Sequence, residues 1–148
     1  MKKLLWILLG FCFIPGCLTL GPKGLLGELP ALANPSEYAE VSIVRQNRFF
    51  GKGLSYRIKI DGNDVFGLKV REYIKIKLNP DRHEISATTF GGATPTTKVS
   101  SVVIDMESLK QYYCLVVSDV SRAVVVSVLD EAQAKPFLEK SSLVFESK

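Results

Sequence analysis

Leu54-Ser55-Tyr56-Arg57-Ile58-Lys59-Ile60-Asp61-Gly62-Asn63-Asp64-Val65-Phe66-Gly67-Leu68 is the stretch that decides how this chain folds. Side chains alternate along an extended chain, so Tyr56, Ile58 and Ile60 share one face while Arg57 and Lys59 share the other. Asp61-Gly62 interrupts the alternation and Val65 resumes an apolar run. An Asp-Gly pair between two such runs is a strong short-range hairpin signal, because a two-residue hairpin turn needs positive φ at its centre. The period of two extends outward from here. Val41-Ser42-Ile43-Val44 opens an earlier strand, and Tyr73-Ile74-Lys75-Ile76-Lys77-Leu78 alternates until Asn79-Pro80-Asp81. Further strands are predicted over 83–89, 99–106, 109–118 and 122–128. Short strands at close spacing with turn residues between them predict an all-β fold, an antiparallel β-sandwich of about seven or eight strands. The run 123–128 is apolar on both faces and reads as a central strand. One short helix is expected over 130–135, capped by Asp130 with Glu131 in its first turn, and stopped or kinked by Pro136.

The front of the chain follows different rules. Lys2 and Lys3 precede an apolar run over residues 4–14, then Pro15-Gly16-Cys17. A cationic start, a short apolar core and a small residue before the cut form a signal-peptide pattern, and the run is too short to span a bilayer, which takes about 20 apolar residues. Ile14 three residues ahead of a Gly16-Cys17 pair resembles the lipobox of bacterial lipoproteins. That resemblance implies cleavage before Cys17 and acylation of its sulfur, with membrane lipid as the partner of the acylated Cys17. Two other readings stay open: an uncleaved apolar anchor over 4–20, and ordinary cleavage after Ala31-Leu32-Ala33. With lipidation, Leu18 after the cysteine implies the outer membrane, facing the periplasm, in an enterobacterial-type sorting system. The domain plan is therefore a signal peptide over 1–16, a lipidated N-terminus and flexible tether over 17–38, a β-sandwich domain over 39–140 and a C-terminal tail over 141–148. Gly21, Pro22, Gly24, Gly27, Pro30 and Pro35 punctuate the tether too often for a helix or strand. As a coil it would reach roughly 25 Å. Its leucines suit packing on the membrane surface or the side of the domain, or docking of a partner.

Charge and cysteines exclude several classes. The net charge is +4, and Lys2 and Lys3 supply half of it, so overall basicity makes no case for nucleic acid. On the lipidation reading Cys12 leaves with the signal and Cys17 is acylated, so Cys114 has no intramolecular partner. The fold must then stand on its core rather than on disulfides. Cys114 sits in the strand pattern of residues 111–117 and reads as a buried, inert thiol.

Phe50-Gly51-Lys52-Gly53-Leu54-Ser55-Tyr56, Ile58-Lys59-Ile60-Asp61-Gly62, the turn before His83-Glu84-Ile85 and the Tyr112-Tyr113 strand together resemble a family of small Gram-negative lipoproteins that carry one domain of unknown function. The resemblance covers roughly residues 41–138 and implies a fold and a lipid attachment but no activity. The family pattern has Pro-Gly before the histidine, where this chain has Pro80-Asp81-Arg82.

No catalytic constellation is legible, and no cofactor or metal is expected. His83 is the single histidine, and Glu84 beside it points to the opposite face of a strand, so His83 reads as structural. Asp61 and Asp64 bracket a turn and offer too few oxygens for calcium. Ser100, Ser101, Ser141 and Ser142 lack both a glycine elbow and a base. Between Arg45 and Arg82, however, ten basic residues face four acidic ones. If Arg57, Lys59, Lys69, Lys75 and Lys77 lie on neighbouring strands, alternation gathers them on one polar face suited to anionic lipid headgroups or an anionic cell-wall component. The bland reading is a solvated face, or lysines that blunt strand edges. Phe49 and Phe50 form a candidate loop contact for an envelope protein, or fold under the loop. The expectation is a membrane-anchored envelope lipoprotein, a non-enzymatic binding or structural module. The alternative is a small hydrolase or carbohydrate-handling enzyme whose site is not visible in sequence.

Overall fold

The computed structural model describes residues 23–47, 53–90, 100–118 and 123–148. In chain order the strands are β1 (Gly24–Leu25), β2 (Ala39–Arg45), β3 (Ser55–Ile60), β4 (Asn63–Leu68), β5 (Glu72–Leu78), β6 (Arg82–Phe90), β7 (Ser100–Asp105), β8 (Gln111–Ser118) and β9 (Val124–Leu129). Helix α1 (Glu131–Leu138) and strand β10 (Ser142–Glu146) follow. They form two five-stranded sheets, ordered β1-β4-β3-β6-β7 and β10-β5-β2-β8-β9. The fold is the all-β sandwich that the period of two predicts.

The hairpin at Asp61-Gly62 forms as the sequence requires. Both residues have positive φ, 51° and 79°, and β3 pairs with β4 in antiparallel register across them. The first sheet is antiparallel throughout. The second is mixed, because β2 runs parallel to β8 and β10 runs parallel to β5. Between the layers lie Val41 and Ile43 of β2, Tyr56, Ile58 and Ile60 of β3, Ile74, Ile76 and Leu78 of β5, and Ile85 and Ala87 of β6, all essentially without solvent contact. Cys114 is buried among them. Helix α1 packs on the outer side of β2 and β8, where Ala134 is buried and the outward Val44 is covered. A capping box closes its start: Asp130 accepts from the Gln133 N–H at 2.8 Å and Gln133 Oε1 accepts from the Asp130 N–H at 3.2 Å. The helix continues through Pro136 to Leu138 rather than stopping there.

Three expectations are corrected. Residues 23–38 are not a free coil. β1 adds to the outer edge of β4, Leu26 N–H donates to Val65 O at 2.9 Å, and Leu29 packs on the core. Farther along, Ala33 N–H donates to Asn79 Oδ1 and Asn79 Nδ2 donates to Ala31 O. The leucines that made this segment apolar are the reason it docks, since burying them removes apolar area from water. Residues 141–148 are not a tail either, because β10 pairs in parallel with β5 and Phe145 meets Phe66 at 5.5 Å between ring centroids. Finally, β9 lies at an edge of its sheet rather than in the middle. Its inner face, Val124 and Val126, seals the core where β7 and β6 come close, while Val125 on the other face stays exposed.

Candidate functional site

The strand assignment divides the expected basic face in two. Arg57 and Lys59 lie on β3, in the first sheet, and Lys75 and Lys77 lie on β5, in the second. Alternation turns all four away from the core, and outer faces of a sandwich point in opposite directions, so the two pairs do not share a surface. Much of their charge is also engaged locally. Arg57 and Lys59 approach the Asp64 carboxylate at 3.2 and 3.3 Å, and Lys75 approaches Glu40 at 3.5 Å. The Lys77 ammonium stands 4.6 Å from the centre of the Tyr38 ring. Lys69 belongs to neither group. It starts the three-residue crossing from β4 to β5, where its N–H donates to the Glu72 carboxylate at 2.7 Å and Arg71 takes positive φ. The single face expected for Arg57, Lys59, Lys69, Lys75 and Lys77 is therefore not assembled. Cys17, Phe49 and Phe50 lie outside the described residues.

His83 has partners that adjacency in sequence did not suggest. Its Nδ1 lies 2.7 Å from Asp61 Oδ2 and its Nε2 lies 3.1 Å from the Asn79 carbonyl oxygen. Asp61 Oδ1 also accepts from the Glu84 N–H at 2.9 Å, so the hairpin turn is stitched to the start of β6. Both ring nitrogens thus face protein oxygens, a carboxylate on one side and a backbone carbonyl on the other. Ser100 Oγ accepts from the Val126 N–H and bridges β7 to β9. Among the described residues no three His, Cys, Asp or Glu side chains converge as a metal site would require. Burial pushes the Cys114 thiol up to about 12, far from the range of a reactive thiolate.

Sequence reading counted Arg45 only toward the local excess of basic residues. It ends β2 in phase with Val41 and Ile43, which carries its side chain into the space between the layers, and only 2% of its surface meets solvent. Its guanidinium donates to the Leu54 carbonyl and to the Leu68 carbonyl, the latter at 3.1 Å, and lies 3.6 Å from the centre of the Tyr56 ring. Burial lowers its pKa from the ordinary arginine value. One side chain of the second sheet thus closes the end of the sandwich against two carbonyls of the first. Strand parity was the available signal, since a residue two beyond Ile43 must point inward.

The sequence matches no protein-family model and no curated protein, and the fold matches no solved structure.

Proposed function

We propose that this protein is a lipoprotein of the bacterial cell envelope, held to a membrane by acyl chains on Cys17 and serving as a non-enzymatic binding or structural module. The observation that carries the reading is the sequence of its front: Lys2-Lys3, an apolar run over 4–14, and Gly16-Cys17. Each buried methylene contributes about 0.8 kcal/mol, and stable attachment takes more than one chain, which the diacylglycerol of a lipobox cysteine would supply. The docked segment from Lys23 onward supports it, because only residues 18–22 then separate Cys17 from the folded body. The two local contacts of the His83 ring, to Asp61 and to the Asn79 carbonyl, suit a structural part at the hairpin. The test is a comparison of the wild-type chain with Cys17→Ser in a bacterial host, together with the mass of the N-terminal peptide. The expected result is an acylated cysteine at the mature N-terminus and wild-type protein in the membrane fraction, with Cys17→Ser released from it. A free thiol at position 17, or a leader still attached, would overturn the reading.

A further inference from the structure

The topology sends charge to opposite ends of the sandwich. One end is closed by Arg45, where β2 and β4 finish and β5 and β10 begin. β1 starts here too, because it runs antiparallel to β4 with Gly24 opposite Gly67. The described chain therefore enters at this end. Four basic residues surround the entry point: Lys23 itself, Lys69 and Arg71 in the β4–β5 crossing, and Lys140 just ahead of β10. Ser142 N–H donates to Arg71 O at 2.8 Å, which holds the last two of these segments together. Against them, among the described residues, stand Glu72 and Glu139. The other end holds the β3–β4 turn, the start of β2, the β5–β6 and β7–β8 connections and the start of α1. Met106 N–H bonds Asp81 O and Leu109 N–H bonds Tyr38 O there, so these segments form one surface. Its joining residues include Asp61, Asp81, Asp105, Glu107, Asp130 and Glu131, with Arg82, Lys110 and Lys148 opposing.

We infer that the Arg45 end docks on the anionic headgroups of the membrane that carries the anchor, so that the acidic end is presented outward. The inference rests on acylated Cys17, as proposed above. From Cys17 to Lys23 the chain advances six residues, which reach at most about 20 Å when fully extended. The leash therefore lets the basic end reach the headgroups, and the attraction of its charges holds it there. A strand of seven residues adds about 23 Å, which puts the acidic end beyond the Debye length of roughly 8 Å from any lipid charge. Turning the body over would bring Asp61, Asp81, Asp105 and Glu107 against the same anionic surface. The short leash and the charge arrangement favour one orientation together.

The experiment uses the full acylated chain in phosphatidylcholine vesicles with and without phosphatidylglycerol. A fluorophore is placed at Glu139→Cys, at the basic end, or at Glu107→Cys, at the acidic end. Each substitution removes one carboxylate and Cys114 is buried, so the two probes are matched. Emission is quenched by lipids bearing a nitroxide on the headgroup. In anionic vesicles, quenching at position 139 is expected to be about twice that at 107 or more, since only the former lies within contact range. Reversing Lys23, Lys69 and Arg71 to Glu is expected to abolish this difference and bring the two probes together. Equal quenching in the native background, or a difference that survives charge reversal, overturns the inference. The mass of the Cys17 peptide is read from the same preparation. Equal quenching on an acylated chain defeats the orientation alone, whereas a missing acyl group defeats both readings.

Discussion

Arg45 is an arginine that holds two layers of a β-sandwich together from the inside. Its donors satisfy the Leu54 and Leu68 carbonyls, which would otherwise face an apolar interior. An unsatisfied buried acceptor costs roughly 1–3 kcal/mol. Arg45→Met is expected to lower unfolding stability by about 2–4 kcal/mol in urea titration for that reason. Arg45→Lys keeps the charge but loses the planar contact with Tyr56, and its loss is expected to be smaller. Cys114 gives a pH signature of its own. Its folded pKa is about 12 against an ordinary value of 9.0. The folded chain therefore keeps the proton while the unfolded chain loses it. The stability this represents is fully present below about pH 9 and is lost as pH rises toward 12, at up to about 1.4 kcal/mol per unit. Unfolding of Cys114→Ala, followed by circular dichroism over the same interval, is expected to lack that slope.

Among the elements, the short strand β1 depends on a glycine. A Cβ at Gly27 would stand 2.4 Å from the Asp64 carbonyl oxygen, closer than any real contact, and that atom is backbone. Gly27→Ala is expected to lift the segment off β4 and cost about 1–3 kcal/mol. Hydrogen exchange supplies the check, because the Leu26 amide loses its bond to Val65 O and its protection with it. The elements that sequence made legible are those whose instructions are local. The β3–β4 hairpin is written in Asp61-Gly62, β5 in strict alternation, and the start of α1 in Asp130. β1 and β10 escaped because their partners are remote. β1 contributes two residues to an edge, and β10 joins a strand about 70 residues earlier through a shifted register between Leu143 and Phe145. β9 misled for a related reason, since an apolar run reads the same at a closing edge as in the centre of a sheet.

For the whole molecule, alternation tells which side of a strand meets the core but not to which layer the strand belongs. That distinction separated Arg57 and Lys59 from Lys75 and Lys77, and with them the expected common face. The β4–β5 crossing from one layer to the other takes only three residues, Lys69-Val70-Arg71, with Arg71 at φ 60°. Nothing in its composition distinguishes it from a hairpin turn within one layer. The same uncertainty hid the partners of His83, because Asp61 reaches it only once β3 and β6 are neighbours.

The parallel pairing of β2 with β8 has a consequence in time. Glu40 aligns with Gln111, so about 70 residues must be in hand before the second flank of β2 can be covered. Closing a contact of that span is slow, and refolding by stopped-flow fluorescence is expected in the millisecond-to-second range rather than in microseconds. While the chain is made from its N-terminus, a strand as apolar as Val41-Ser42-Ile43-Val44 waits with an open edge, which is a hazard for self-association. A polypeptide that stays unfinished so long is also one that can still be threaded through a narrow channel before it knots itself into shape.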